Sequence, residues 1–181
     1  AAGRAPLRRH NLVHRDLKPH NLLLVTPDLF AASTPPAAAA ASPSAAQAAC
    51  PVPVLKIADF GFAREIAPQH LAETLCGSPL YMAPEILRFQ KYDAKADLWS
   101  VGTILFELVT GTPPFRGANH VDLLRTIETT EAPLPAVGRD GRPASAGCNH
   151  LMRGLLRKNP LERMSFDEFF AHPWLGGARE R

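Results

Sequence analysis

The residues of this chain that could do chemistry lie together in one short run near its start. That run is Val13-His14-Arg15-Asp16-Leu17-Lys18-Pro19-His20-Asn21. A carboxylate at Asp16, an ammonium group at Lys18 and an amide at Asn21 suit phosphoryl transfer, as a base, a phosphate contact and a magnesium ligand. The alternative is a polar turn capped by Asp16 and Asn21. The length of the string favours phosphoryl transfer, because shorter motifs give more false matches.

Two strands are predicted to hold this loop. Residues 22–25 and 54–58 are short apolar runs, and the second is followed directly by Asp59-Phe60-Gly61. Paired as a hairpin with a long tip, they would present Asp16 and Asp59 at the same edge. A strand next to the loop would hold it rigidly, which catalysis by positioning requires.

An Ala/Pro-rich segment of low complexity separates the two strands at residues 26–53. Few apolar side chains could anchor it, so the composition predicts a disordered or loosely helical insertion. An Ala-rich helix is the competing interpretation. It could extend for only a turn or two, because Pro35, Pro36 and Pro43 interrupt the run.

The rest of the chain predicts helices joined by loops. Residues 97–110 are apolar nearly all round, which is typical of a buried helix, and Gly111 ends it. Residues 119–128 predict an amphipathic helix with Val121, Leu124 and Ile127 on one face. Further helices are predicted over residues 86–89, 150–157 and 166–172, loops over residues 62–85 and 131–147, and a frayed polar tail over residues 176–181.

The composition is that of one globular domain. The chain has 181 residues, 46% hydrophobic and 20% charged, with a net charge of +3. Its cations are scattered, so nucleic-acid binding is not predicted. Cys50, Cys76 and Cys148 lack metal-binding spacing and indicate reduced thiols in an intracellular protein. The most apolar run, residues 101–109, is too short to span a bilayer.

The loop string, Asp59-Phe60-Gly61 and Ala83-Pro84-Glu85 occur in an order that resembles the C-terminal lobe of eukaryotic protein kinases, over about residues 7–175. The resemblance implies an α+β, mainly α-helical fold, in which a short β-hairpin carries the catalytic and metal-binding loops. Asp16 would then accept or orient the proton of a substrate hydroxyl. Asn21 and Asp59 would hold the Mg²⁺ ions that bridge the phosphates of ATP, and Mn²⁺ could substitute.

Further roles follow from the same resemblance. Lys18, two positions after Asp16, fits the serine/threonine kinases, and its charge would stabilise the phosphoryl group in transfer. The hydroxyl of Ser78 would bond Asp16 and Lys18, although a simple turn residue is the plainer interpretation. Leu23 would join Lys18, Asn21 and Asp59 in the nucleotide-binding set. Leu23, Ile104 and Leu108 resemble core positions or positions beside the adenine, and core packing is the plainer interpretation for Ile104 and Leu108.

The resemblance also implies structural and substrate-binding residues. Asp97 would brace the backbone of the catalytic loop, and Glu85 would pair with Arg163 to tie the activation segment to the lobe. An apolar pocket for the residue after the phosphorylated one would be formed by Leu75, Pro79 and Met82.

Regulation by phosphate is predicted from charge. Thr74 precedes Glu85, while Arg15 and Arg64 lie near the two catalytic motifs, and in kinases of this pattern these three residues meet. A phosphate on Thr74 would add roughly two negative charges and could pair with both arginines. Thr74 is therefore the predicted activating phosphosite.

Three strings resemble the autophagy-initiating serine/threonine kinases, the ULK family: residues 56–64, 71–85 and 90–100. This implies phosphorylation of autophagy proteins by a cytoplasmic complex at the phagophore assembly site. The implied partners are protein substrates and subunits of the initiation complex. Peripheral association with autophagosomal membranes is implied, but no transmembrane segment and no nucleic acid.

The sequence departs from a whole kinase domain. It has no initiator Met, glycine-rich loop, strand lysine or adenine-binding hinge, so the N-terminal lobe is missing and a fragment of something longer is predicted. Such a fragment would bind ATP poorly and transfer phosphate negligibly. The alternatives are a short protein that acts as a non-catalytic binding module or decoy, and a pseudokinase. Intact Asp16, Lys18, Asn21 and Asp59 disfavour the pseudokinase.

Overall fold

The structure is a computed structural model that describes residues 12–25, 53–61, 63–65 and 78–176. The chain divides into two compact units, one formed by residues 20–58 and the other by residues 1–19 with 59–181. The predicted insertion, apart from its last residue, and the predicted tail after Gly176 lie outside the described residues.

The predicted hairpin is confirmed in the smaller unit. Strand β2 (Leu22–Val25) pairs antiparallel with β3 (Val54–Ile57), and Leu22 lies opposite Ile57. Beyond the last pair, the Ala58 N–H donates to the Asn21 carbonyl at 2.8 Å. The hairpin therefore fixes the backbone of Asn21.

A second strand pair was not predicted. In the larger unit β1 (Leu12–Val13) pairs antiparallel with β4 (Arg64–Glu65), inside a stretch that the sequence predicted as loop. Two residues are too few to show the alternation that identifies a strand. The pair joins the entry of the catalytic loop to the backbone just after Asp59-Phe60-Gly61.

Six helices and two 3₁₀ turns are present among the described residues. The helices are α1 (Pro84–Leu87), α2 (Lys95–Thr110), α3 (His120–Thr129), α4 (Ala146–Leu155), α5 (Phe166–Phe170) and α6 (Pro173–Gly176). The turns are Pro19–Asn21 and Pro79–Tyr81. No described helix has the length and hydrophobicity that a membrane span requires.

Capping residues explain where the predicted helix starts were wrong. The side chain of Ser145 accepts from the Cys148 N–H, so α4 begins four residues earlier than predicted. Proline is well suited to the first turn of a helix, so α1 begins at Pro84 rather than at Ile86. Helix α6 was not predicted, since four residues carry too little periodicity.

Helix α2 is the scaffold of the larger unit. Trp99 is fully buried and stacks on Phe115, with ring centroids 5.8 Å apart. Gly102 lets α4 approach closely, because a Cβ there would lie 2.8 Å from the Cβ of Leu155. Gly111 ends the helix at φ 82°, as predicted.

Two predictions of buried faces were right only in part. Ile104 is 5% exposed, as predicted, but Leu108 on the same helix is 66% exposed. On α3 Ile127 is buried and Leu124 is half-buried against the core, as predicted, whereas Val121 is 62% exposed and Leu123 is buried instead. The backbone of Leu123 lies so close to Gly117 that a side chain there would not fit.

Candidate active site

The backbone of the catalytic loop is held by a buried carboxylate on α2, that of Asp97. The backbone N–H of His14 donates to Asp97 Oδ2 at 2.8 Å, and that of Arg15 donates to Oδ1 at 3.0 Å. Arg15 has φ 69°, a left-handed conformation that costs a non-glycine residue about 1 kcal/mol or more. Burial raises the pKa of Asp97, while the two N–H bonds act in the opposite direction. One side chain thus fixes two successive peptide units beside Asp16.

The carboxylate of Asp16 is buried and held at both oxygens. Lys18 Nζ lies 2.7 Å from Oδ2, and the backbone N–H of Ser78 donates to Oδ1 at 2.9 Å. Ser78 therefore reaches Asp16 through its amide, while the prediction was a contact through its hydroxyl. An ionised carboxylate only accepts hydrogen bonds, so a group held in this way can orient an incoming hydroxyl.

The second motif packs against the loop through aromatic rings. His14 is fully buried, and its ring meets that of Phe60 edge to face with centroids 4.9 Å apart. Asp59 is exposed with φ 60°, and its Oδ1 accepts from the Gly61 N–H at 3.2 Å. This turn holds one oxygen of the Asp59 carboxylate against the local backbone, and the residue stays accessible to solvent.

The predicted metal ligands fit a hard cation by their chemistry. Asn21 is 7% exposed and lies in the smaller unit, while Asp59 lies in the larger one. Among the described residues no three His, Cys, Asp or Glu side chains group to hold a metal. One carboxylate and one amide oxygen are a set that Mg²⁺ accepts, because it takes its other ligands from phosphate and water.

A buried ion pair joins α1 to the segment before α5. Arg163 donates to both oxygens of Glu85, at 2.6 and 2.9 Å. Its guanidinium also lies 5.3 Å from the centre of the Trp99 ring. Lys95 Nζ donates to the carbonyl of Arg163 at 3.0 Å, and Arg163 donates back to the carbonyl of Lys95 at 3.0 Å. The pair is therefore embedded in further hydrogen bonds.

Part of the predicted regulatory and substrate set cannot be placed. Thr74 and Leu75 lie outside the described residues, and Arg64 is described by its backbone alone. Of the remaining predicted pocket residues, Met82 is buried and Pro79 is exposed. The side chain of Leu23 is 51% exposed.

Two tyrosines near the loop were missed by sequence reasoning. Arg15 Nη1 donates to the hydroxyl of Tyr92 at 3.4 Å. The hydroxyl of Tyr81 donates to Glu107 Oε2 at 2.8 Å, and burial, followed by this carboxylate, raises the pKa of Tyr81 to about 12. No spacing rule connects residues 77 and 26 positions apart in sequence, so only the fold reveals these contacts.

The chain is similar to known proteins over most of its length. The sequence pattern of the protein kinase domain matches residues 3–175. The chain belongs to the protein kinase family. The chain is 54% identical over 176 residues to the serine/threonine-protein kinase ATG1b of Arabidopsis thaliana, and the alignment covers 97% of this chain and 21% of that protein.

Fungal relatives show the same degree of similarity. The serine/threonine-protein kinase ATG1 of Pyricularia oryzae is 54% identical over 172 residues, covering 92% of this chain and 17% of the relative. The atg1 kinase of Penicillium rubens is 54% identical over 171 residues, covering 92% and 18%. The chain thus spans about a fifth of the length of the curated relatives it matches. The predicted resemblance to this group of serine/threonine kinases is confirmed.

Proposed function

We propose that this chain supplies the catalytic and metal-binding loops of a serine/threonine protein kinase, which transfers the γ-phosphate of ATP to hydroxyl groups of proteins. The observation that carries the proposal is the arrangement at Asp16. Its carboxylate lies 2.7 Å from Lys18 Nζ and 2.9 Å from the Ser78 amide, and Asp97 holds the preceding backbone. A base fixed beside a cation is what transfer to a hydroxyl requires.

Each group has a role in that reaction. Asp16 orients the substrate hydroxyl and accepts its proton as the oxygen forms a bond to the γ-phosphorus. The bond from that phosphorus to the bridging oxygen breaks, and ADP carries away the electron pair. Lys18 stabilises the charge on the transferring group. Asn21 and Asp59 would hold Mg²⁺, which, when bound, neutralises phosphate charge.

The test is Asp16→Asn in the full-length protein. We expect kcat for a peptide substrate to fall by roughly two to four orders of magnitude, as loss of a positioned base does. The Michaelis constant for ATP should change little, since Asp16 contacts the hydroxyl rather than the nucleotide. Asp140→Asn is the matched control, because Asp140 lies on an exposed turn. Equal kcat values for Asp16→Asn and the wild type would overturn the proposal.

We also propose that the kinase acts in autophagy initiation, in the cytoplasm and at the phagophore assembly site, on protein substrates and with subunits of the initiation complex. Similarity to the ATG1 kinases supports this role. The test is autophagic flux in cells that carry only the Asp16→Asn protein. Flux at the wild-type level would favour the non-catalytic binding module instead.

Activation by phosphate on Thr74 belongs to the same proposal. Arg15, whose guanidinium donates a hydrogen bond to the Tyr92 hydroxyl, supplies one cation for that phosphate. Thr74→Ala in the full-length protein should lower kcat, while Thr112→Ala, in the turn that follows α2, should not. Unchanged activity of Thr74→Ala would contradict this part.

The 181 residues alone are expected to transfer negligible phosphate. Their sequence contains neither a glycine-rich loop nor a strand lysine to hold the nucleotide phosphates. The measurement is incorporation of labelled phosphate by the purified chain beside the full-length protein. Comparable turnover by the two would contradict this expectation.

A further inference from the structure

A short turn at residues 137–143 precedes α4 and carries two arginines. A β-bridge between Val137 and Pro143 closes the turn. The Arg139 N–H donates to the carbonyl of Val109 at 2.6 Å, which ties the turn to the last part of α2. The backbone of the turn is therefore held in place, while both arginines are exposed to solvent.

Ser145 follows this turn and has an accessible hydroxyl. The residue is exposed, and its backbone is extended, with φ −66° and ψ 144°. Its Oγ accepts from the Cys148 N–H at 3.1 Å, which places the oxygen at the first turn of α4. A hydroxyl that accepts one bond still has its own hydrogen to donate. Because the chain before the helix is extended, an enzyme can reach this hydroxyl without unfolding α4.

The residues before Ser145 carry a charge pattern that a kinase can select. Arg142 lies three positions before the serine, and Arg139 lies six before it. Charge patterns of this kind distinguish kinase substrates, because an acidic substrate groove attracts cations and repels anions. Ser165 also caps a helix, α5, but Glu162 lies three positions before it. The pattern therefore favours Ser145 over Ser165 as the target of an arginine-directed kinase.

The same two arginines suit the phosphate once it is attached. Arg139, Arg142 and Ser145 line one cleft of about 550 Å³. Asp140 also lines it, and its Oδ2 lies 3.8 Å from Arg142 Nε, with both side chains mostly exposed. Such a pair contributes little in water. A phosphate carries about two negative charges and binds a guanidinium at two points, so it is a stronger partner than Asp140.

We propose that Ser145 is a phosphorylation site for an arginine-directed serine/threonine kinase, and that Arg139 and Arg142 bind the phosphate in this cleft. Ser145 Oγ forms a bond to the γ-phosphorus of ATP as the bond from that phosphorus to the bridging oxygen breaks. ADP leaves with the electron pair, and the hydroxyl proton passes to the base of the modifying kinase. The phosphate then joins the turn at residues 137–143 to the start of α4. The step needs no catalysis by Asp16, so it does not depend on the proposed function.

The modification is tested on the full-length Asp16→Asn protein, so that the added enzyme supplies the kinase activity. The protein is incubated with ATP and a purified arginine-directed kinase, whose activity is verified on an arginine-containing peptide. Mass spectrometry should locate phosphate on Ser145 and none on Ser165. Arg142→Gln should slow phosphorylation of Ser145 by roughly tenfold or more, in keeping with the loss of a charged contact. No phosphate on Ser145, or an equal rate in Arg142→Gln, would overturn the proposed site.

The role of the arginines is tested by hydrogen exchange of the backbone amides at residues 138–145. The phosphorylated protein is compared with the same protein after phosphatase treatment. We expect phosphate to slow exchange by roughly two- to tenfold, since one or two new contacts stabilise the turn against local opening. Arg139→Gln should abolish much of this slowing. Arg153→Gln, which removes an exposed arginine of α4, is the matched control and should preserve it.

The two measurements separate the parts of the proposal. Phosphate on Ser145 that leaves exchange unchanged, or that slows it equally in Arg139→Gln, overturns the binding of phosphate by the arginines. Absence of phosphate on Ser145 overturns the whole proposal. Neither result bears on phosphoryl transfer by Asp16, because the protein in the first test lacks that carboxylate.

Discussion

Two ion pairs anchor α1 and the residue that follows it, and they lie in opposite surroundings. Glu85 and Arg163 meet with their side chains at most 3% exposed, through two hydrogen bonds. Arg88 and Glu128 meet at 2.8 Å with their side chains 31% and 43% exposed. Both pairs join segments far apart in sequence. Water and salt can replace either partner of the exposed pair, whereas loss of one partner of the buried pair leaves a charge with no solvent.

Asp97 is a buried charge like those of the Glu85–Arg163 pair. Its carboxylate accepts hydrogen bonds from two backbone N–H groups of the catalytic loop. Removing either buried carboxylate or its partner would leave a polar group without water to replace the lost bond. The same kind of substitution should therefore lower the free energy of unfolding much more at the buried groups than at the exposed ion pair.

The largest effect is expected for Arg163→Met. Methionine fills much of the space but leaves Glu85 buried without its cation, so the free energy of unfolding should fall by about 3–5 kcal/mol. Thermal unfolding of the variant measures this loss. A double variant that also carries Glu85→Met should recover part of it. A loss below about 1 kcal/mol would show that the charge of Glu85 reaches solvent in the variant. That result would contradict the expected difference between the buried and the exposed pair.

Asp97→Asn should have the next largest effect. The amide can accept from only one of the two N–H groups, and its own NH₂ group then faces the other. We expect a loss of about 2–3 kcal/mol in the free energy of unfolding, the range for an unsatisfied buried donor. Thermal unfolding and kcat of the full-length protein should both decline. Asp140→Asn, on the exposed turn, is the control and should match the wild type in both.

A smaller and pH-dependent effect is expected at a histidine pair between α4 and α6. His172 Nε2 lies 2.8 Å from His150 Nδ1, and His172 Nδ1 accepts from the Trp174 N–H at 3.3 Å. Burial, followed by the charge of His150, lowers the pKa of His172 below its ordinary value of 6.5. The folded chain therefore keeps this ring neutral at a pH where the unfolded chain protonates it.

This contribution to stability should be complete above pH 6.5 and be lost as the pH falls from there toward the lowered pKa. The measurement is the midpoint of thermal unfolding from pH 7.5 down to pH 5.5, roughly a unit to either side of the ordinary histidine pKa. His172→Gln should make the midpoint less sensitive to pH. The same sensitivity in His172→Gln and the wild type would contradict the assignment.

The smallest effect is expected for Arg88→Met, which repeats the chemistry of Arg163→Met at the exposed pair. Its cost should be below about 1 kcal/mol, and it should shrink further as salt is added. Thermal unfolding at low and high salt checks both statements. A cost near that of Arg163→Met would erase the distinction between the two regions.

Much of the site could be predicted from the sequence because its motifs are local. Asp16, Lys18 and Asn21 lie within six positions, and the apolar runs beside Asn21 and Asp59 predicted the hairpin correctly. Helix α2 and its end at Gly111 were also predicted, since a long apolar run followed by glycine is an unambiguous local signal.

Other features depended on contacts that no local pattern reveals. The start of α4 was set by a cap at Ser145, and the exposure of Leu108 by what packs around the last turns of α2. The two-residue pairing of β1 and β4 has no periodicity to detect. The roles assigned to Thr74 and Leu75 stay predictions, because these residues lie outside the described part of the chain.

The sequence by itself determined which groups could do chemistry here, because phosphoryl transfer needs a carboxylate, a cation and oxygen ligands at set spacings. The tertiary structure decided how those groups are held. Asp97 reaches back 82 positions to the Arg15 N–H, and Tyr92 reaches back 77 to its guanidinium. Such hydrogen bonds depend on which surfaces the packing of α1 and α2 brings together, and this packing cannot be predicted from the spacing of residues along the chain.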